Sequence, residues 1–180
     1  MAEKIIATPE QLRKLLRYDP DSGLLFWRFR DSSFFRSDAS AAAWNGKHAN
    51  KIAFTAEMIG YKVGTIFGRR HLAHRVAWAI YHGEWPADQI DHINGVRSDN
   101  RLINMRQSTQ QENCCNMPRQ SNNTSGYKGV RRYRDGVRWQ AVINHLGKPL
   151  WLGLYATAED AHAAYCEAAK RYHGEFARTE

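Results

Sequence analysis

Cysteine is scarce in this chain: three residues in 180, with Cys114 and Cys115 adjacent and Cys166 alone. So few and odd a set excludes a disulfide-framed scaffold, and without a Cys-x-x-Cys pair a zinc knuckle has no ligands. The expectation is reduced, part-buried thiols in a cytosolic protein. Long apolar runs are also lacking. The longest, residues 76–81, falls far short of a membrane span. Residues 1–19 interleave Glu3, Lys4, Glu10, Arg13, Lys14 and Arg17 with apolar residues, so no signal-peptide core is present. A soluble, intracellular protein is expected. The 13 glycines follow no triplet period, which excludes a collagen-like chain. With 43% hydrophobic and 12% aromatic residues, wholesale disorder is excluded as well. Acidic residues are in deficit, 18 against 26 Lys plus Arg, a net charge of +8. That balance favours polyanionic partners, nucleic acid before an anionic membrane.

The charge is unevenly placed. Residues 119–180 hold ten basic and six acidic groups, half the net excess. Within them Lys128, Arg131, Arg132, Arg134 and Arg138 oppose only Asp135, with Tyr127, Tyr133 and Trp139 interleaved. The polar, aperiodic stretch 119–125 reads as a linker. Upstream, Thr8-Pro9-Glu10 followed by Leu12, Leu15 and Leu16 predicts a helix start. Residues 19–23 read as a turn and 24–29 as a strand, while 30–50, rich in Ser, Ala and Asn, read as a loop. A hairpin around Gly68 is expected over 60–72, then a short helix from His74 to His82 ending near Gly83.

Residues 86–116 carry the chemistry. A strand over 89–93 ends in Asp91 and His92, Asn94-Gly95 is a tight-turn signal, and 102–107 form a second short strand. Thr109-Gln-Gln-Glu112 is a capping box that starts a helix near Gln110, with Asn113 and Asn116 on one side. Hydrolysis of a phosphodiester needs an activated water, a cation on the phosphate and support for the leaving oxygen. His92 is the group here able to take a proton near neutral pH. One carboxylate with an amide oxygen makes a sparse, hard ligand set suited to Mg²⁺ that keeps its waters.

Strand, loop, strand and helix, with Asp-His-Ile-Asn-Gly at 91–95, Asp-Asn-Arg at 99–101, Asn104-Met-Arg106 and Thr109 through Asn116, resemble the HNH homing endonuclease core of phages and introns, in its zinc-free ββα-metal branch. The resemblance covers residues 60–116, including the approach at 72–78 and 83–86. It implies that His92 is the general base, that Asn104, twelve residues on, orients its ring, and that Asn113, twenty-one residues after His92, joins Asp91 as a ligand of Mg²⁺ or another divalent cation such as Mn²⁺. Asn100 is the alternative orienting residue. The motif's third letter is Asn rather than His, a variant that keeps one-metal chemistry. Arg97, Arg101 and Arg106 are expected to contact phosphate, as is the pair His74-Arg75. His71 and His82 read as packed or solvent-facing, and Trp27, Trp78 and Trp85 as core.

In the tail, three strands over 126–133, 137–143 and 150–155 precede a helix capped by Thr157 and stopped by Gly174. Alternation turns Val130, Trp139, Ala141, Ile143 and Leu152 to the helix, and Arg131, Tyr133, Gln140, Val142, Asn144 and Trp151 outward. Tyr127-Lys-Gly-Val-Arg131, Trp151-Leu-Gly153 and the run from Thr157 to Tyr165 resemble the Apetala/ethylene-response-factor DNA-binding domain of plants, which also occurs fused to phage HNH nucleases. By that resemblance Arg131 and Trp151 occupy DNA-contact positions. Lys128, Arg132, Tyr133, Arg134 and Arg138 complete the expected DNA-binding set. A longer first hairpin, Val142 and Asn144 in place of charged contacts, and Pro149 in place of Arg depart from the plant pattern, so its recognition sequence does not transfer.

The expected fold is α+β: an N-terminal extension (1–59), a ββα-metal core (60–118), the linker, and a three-stranded antiparallel sheet on one helix (126–180). The expected function is a metal-dependent endonuclease of double-stranded DNA. It would be phage-encoded, acting in the bacterial cytoplasm as a monomer and away from membranes. The rival is a DNA-binding regulator on an idle nuclease fold; the tail disfavours an RNase.

Overall fold

The computed structural model describes residues 7–180, and the chain divides into two units, one up to Gln107 and one from Ser108 onward. Helices and antiparallel sheets occur in both, so the fold is α+β.

In the first unit, Thr8 and Gln11 close a capping box and Pro9 takes the first position of α1 (Pro9–Leu15). The chain then turns straight into β1 (Leu16–Asp19), which pairs antiparallel with β2 (Leu24–Trp27) across the Asp19–Gly23 turn. Residues 30–50 depart from the expected loop. They contain a 3₁₀ turn, Ser32–Phe34, and an eleven-residue helix, α2 (Asp38–His48), capped by Ser37. Its buried Asn45 holds both the backbone N–H and the carbonyl of Arg30, a long-range pairing with no local sequence signature. Next come β3 (Ala56–Met58), β4 (Tyr61–Ile66) and β5 (Arg69–Leu72) in one antiparallel sheet. Helix α3 (Ala73–His82) follows and ends at Gly83 in the left-handed region, φ 82°.

Leu12, Leu15, Leu16, Tyr18 and Leu25 share one core with Val76, Ala77, Trp78, Ile90 and Met105. The N-terminal residues from Ala7 on are therefore part of the body that carries β6 (Gln89–His92) and its partner β7 (Met105–Ser108). Trp78 is buried in this core, with Trp27 and Trp85 packed against it.

The second unit begins with α4 (Gln110–Cys115), started by the Thr109–Glu112 capping box. Its sheet runs β10 (Lys148–Tyr155), β9 (Trp139–His145), β8 (Val130–Arg132), all antiparallel. Pro149 falls on edge strand β10, where a missing N–H is tolerated. Helix α5 (Ala158–His173) covers one face. Val130, Ala141, Ile143, Ala158, Ala161, Tyr165, Ala168 and Ala169 are buried between helix and sheet, with Trp139 and Leu152 packed beside them. Alanines on the inner side of α5 let it approach the strands closely. Residues 119–125 are tied down: Asn123 Nδ2 donates to the carbonyls of Tyr127 and Val130, and Ser125 Oγ to the same pair.

The three cysteines are free thiols. No helix among the described residues is long and apolar enough to cross a membrane.

Candidate active site

Strand β6 delivers Asp91 and His92 into the interior, 3% and 4% exposed. Successive strand residues point to opposite faces, and the two side chains accordingly meet different neighbours. Asp91 Oδ2 accepts from Arg106 on β7, Nη2 at 2.8 Å and Nε at 2.9 Å. His92 Nε2 lies 3.1 Å from Asn100 Oδ1. An amide oxygen only accepts, so Nε2 carries the proton and Nδ1 is the basic nitrogen. Burial lowers the pKa of His92, while the Asn100 hydrogen bond and the Asp91 and Asp99 charges oppose that shift. The ring is neutral at pH 7, the form a general base requires.

The contact expected of Asn104 thus belongs to Asn100. Asn104 staples the loop instead: its Oδ1 accepts from Asn94 N at 2.9 Å and its Nδ2 donates to the Asp99 carbonyl at 2.8 Å. Asp99 is gripped at both oxygens by Arg101, at 2.8 and 2.6 Å, and is held down to a pKa of about 2, chiefly by that hydrogen bonding. Asn94 Nδ2 adds a third bond to the same carboxylate.

One element of the site carries no motif. Tyr18 Oη, on β1, donates to the buried Asn100 carbonyl at 2.7 Å, and Leu102 N donates to the Pro20 carbonyl at 3.0 Å. At Gly23 a Cβ would lie 2.5 Å from Arg101 N, so the hairpin turn presses directly on the loop that holds His92. The β1–β2 hairpin therefore fixes where Asn100 sits. For the nuclease expected from the sequence, Tyr18→Phe should lower the cleavage rate several-fold, about the worth of one hydrogen bond, with little change in KM. Asn100→Ala should lower it roughly 10- to 100-fold. Asn104→Ala should act first on stability, costing about 1–3 kcal/mol in thermal unfolding, because it strips two loop backbone groups of their partner.

The basic residues expected on DNA divide. His74 is 4% exposed, with its ring edge-on to His92 at 5.1 Å and 5.2 Å from Tyr61. Burial drives its pKa down to about 3, so it is neutral and cannot attract phosphate. Its Nδ1 has no hydrogen-bond partner. Arg75 donates to the Asp88 and Pro86 carbonyls and ties α3 to the approach to β6. Arg106 faces Asp91 rather than solvent. Arg97 donates to the Ile59 carbonyl and lies over Tyr61, and Arg101 holds Asp99, but both remain exposed at the loop surface.

In the second unit, Asn113 is half-buried on α4. Lys128 departs from its expected place. Its Nζ donates to the Cys115 and Met117 carbonyls at the C-terminal end of α4, where burial pulls its pKa to about 8. Arg132 lies over Trp139 at 4.3 Å and donates to the Gly136 and Val137 carbonyls, bracing the hairpin. Arg138 pairs with Asp135. Arg131 stands exposed opposite Gln140, and Trp151, 53% exposed, stands opposite Val142 with Tyr133 6.3 Å from its ring. Arg134 lies 5.4 Å over Tyr133.

Among the described residues no three His, Cys, Asp or Glu side chains converge as a metal cage. The donor chemistry at Asp91 still suits a hard divalent cation, because a single carboxylate leaves most of the coordination shell to water and phosphate oxygens.

Residues 71–114 match the family model described as HNH endonuclease. The chain is 33% identical over 81 residues to Protein 3.8 of Escherichia phage T7, which covers 44% of this chain and 64% of that protein. It is 36% identical over 96 residues to the Ethylene-responsive transcription factor WRI1 of Arabidopsis thaliana, covering 50% of this chain and 22% of that one. Over 50 residues, 27% of this chain, it is 50% identical to the Dehydration-responsive element-binding protein 2E of Oryza sativa subsp. japonica, 15% of whose length is matched. Each match spans less than two thirds of the relative's own length. The HNH match supports nuclease activity in general.

Proposed function

We propose that the chain is a metal-dependent DNA endonuclease of the homing type, encoded by a phage and acting in the bacterial cytoplasm. Its second unit adds affinity for double-stranded DNA. The observation that carries this reading is the buried, neutral His92, pinned through Nε2 by Asn100 and next in sequence to the buried Asp91. Fixed this way, His92 Nδ1 takes a proton from water as the water oxygen attacks phosphorus. The phosphorus–oxygen bond to the leaving group then breaks. Asp91 would supply a carboxylate for Mg²⁺ or Mn²⁺, and the motif resemblance assigns Asn113 as the second oxygen donor. When bound, such a cation neutralises charge on the scissile phosphate and supports the leaving oxygen. Arg106 fixes the Asp91 carboxylate through Oδ2. The exposed Arg97 and Arg101 flank the same loop and are in reach of phosphate. The resemblance of the tail to plant DNA-binding domains supports duplex DNA as substrate, with two weak sites linked into one stronger one.

The deciding assay is supercoiled plasmid incubated with the full-length protein and Mg²⁺, with and without chelator. Relaxed or linear product that disappears with chelator is the expected result. Tight DNA binding with no cleavage under any divalent cation would favour a regulator on an idle nuclease fold.

A further inference from the structure

The first unit holds a second charged feature that catalysis at His92 does not use. A cleft of about 660 Å³ is lined by Arg13, Lys14, Arg17 and Arg28, together with Phe29 and Phe34. No carboxylate among the described residues lies within ion-pair distance of any of the four cations. The carboxylate in the cleft, Asp31, is turned to Ser33, whose N–H and hydroxyl it accepts to cap the 3₁₀ turn. Two of the guanidinium groups are held in place through one nitrogen. Arg13 Nε donates to the Ile80 carbonyl at 2.9 Å and Arg28 Nε to the Leu16 carbonyl at 3.2 Å. Arg17 is steadied over the Phe26 ring at 4.3 Å. Phe29, 69% exposed, and Phe34 present apolar rings beside these charges.

Four cations against the one carboxylate of Asp31 make the lining of this cleft electropositive, which suits a polyanion. A small anion would answer the charge and leave both phenylalanines wet. Phosphates strung on sugars and bases answer both. The hairpin also relates the cleft to the catalytic loop. Arg17 and Arg28 stand at its open end, while Pro20 and Tyr18 grip the loop that holds His92.

We infer that this cleft binds the phosphate backbone of duplex DNA flanking the scissile bond. It is a site in the N-terminal part of the chain that no sequence motif announces. The inference rests on the nuclease reading only for the position of that bond.

The test uses full-length protein carrying Lys14→Gln and Arg17→Gln; neither native side chain donates to a backbone carbonyl among the described residues. Duplex binding is measured without divalent cation across a salt series, and wild-type cleavage with Mg²⁺ is measured in parallel. The double variant should bind more weakly to every sequence. Its slope of log K against log salt should be shallower by about two, one for each lost phosphate contact. Lys47→Gln with Lys170→Gln, the same charge removed from two helix surfaces, should change the slope much less. Hydroxyl-radical footprints of the double variant should lose protection on the backbone flanking the cut. Unchanged slope in the cleft variant, or equal loss in the control pair, would overturn the inference while wild-type cleavage keeps the nuclease reading. A shallower slope in a protein that never cleaves would leave the cleft as a DNA contact and remove the nuclease reading alone.

Discussion

His92→Ala should reduce single-turnover cleavage by about 10²–10⁴-fold, the usual worth of a general base, and leave DNA affinity nearly unchanged. The two halves of this expectation come from the same geometry. At 4% exposure the ring has almost no surface to offer a duplex, so its loss removes little binding. Its Nε2–H is committed to Asn100, which aims the basic nitrogen in one direction. Water cannot substitute for a fixed acceptor at that point without losing the positional advantage. The neighbouring histidine is no replacement. His74, with a pKa of about 3, accepts protons from water several orders of magnitude less readily than an ordinary imidazole. Fluorescence anisotropy for binding and a radiolabelled cleavage time course separate the two effects. Turnover at the wild-type rate would remove His92 from the mechanism.

Arg131→Ala combined with Trp151→Ala should weaken duplex binding by tens- to hundreds-fold while the second unit stays folded. Both side chains project from the sheet face opposite α5, and neither belongs to the two clusters packed between sheet and helix. A guanidinium that reads a base edge is worth about 1–3 kcal/mol, and a stacked aromatic about the same. Neighbours on one face need not add in full. Arg132→Ala is the informative contrast. That side chain braces the hairpin by covering Trp139 and bonding two carbonyls, so its removal should lower thermal stability more than affinity. Equal affinity of the Arg131/Trp151 variant and wild type, measured at two salt concentrations, would show that this face does not bind DNA.

Much of the architecture is written locally. Thr8 with Gln11, Thr109 with Glu112, and Thr157 with Asp160 mark three helix starts through bonds that span three residues, and Gly83 ends α3 with a single left-handed residue. The inward set Val130, Trp139, Ala141, Ile143 and Leu152 follows from strand alternation alone. Such signals depend on neighbours in sequence, and any chain with those residues at those spacings would show them. Helix α2 escaped because its Ala- and Ser-rich face has no apolar periodicity, and what anchors it is Asn45 reaching back to Arg30.

The site divides the same way. Asp91 and His92 at a strand end, followed by an Asn-Gly turn, were legible because a strand, a turn and a proton acceptor each have a local signature. Which amide holds His92 was not. Asn100 and Asn104 lie in one loop with the same chemistry, and the loop's path is set by Tyr18, Pro20 and Gly23, some eighty residues upstream. The fate of each cation was equally non-local. Lys128, Arg75 and Arg106 look alike in sequence to Arg131, yet folding spends them on a helix end, a loop and a buried carboxylate. Sequence determines which residues can carry charge, accept a proton or cap a helix. Tertiary structure decides which of them face a partner, because only long-range packing fixes what each long side chain can reach.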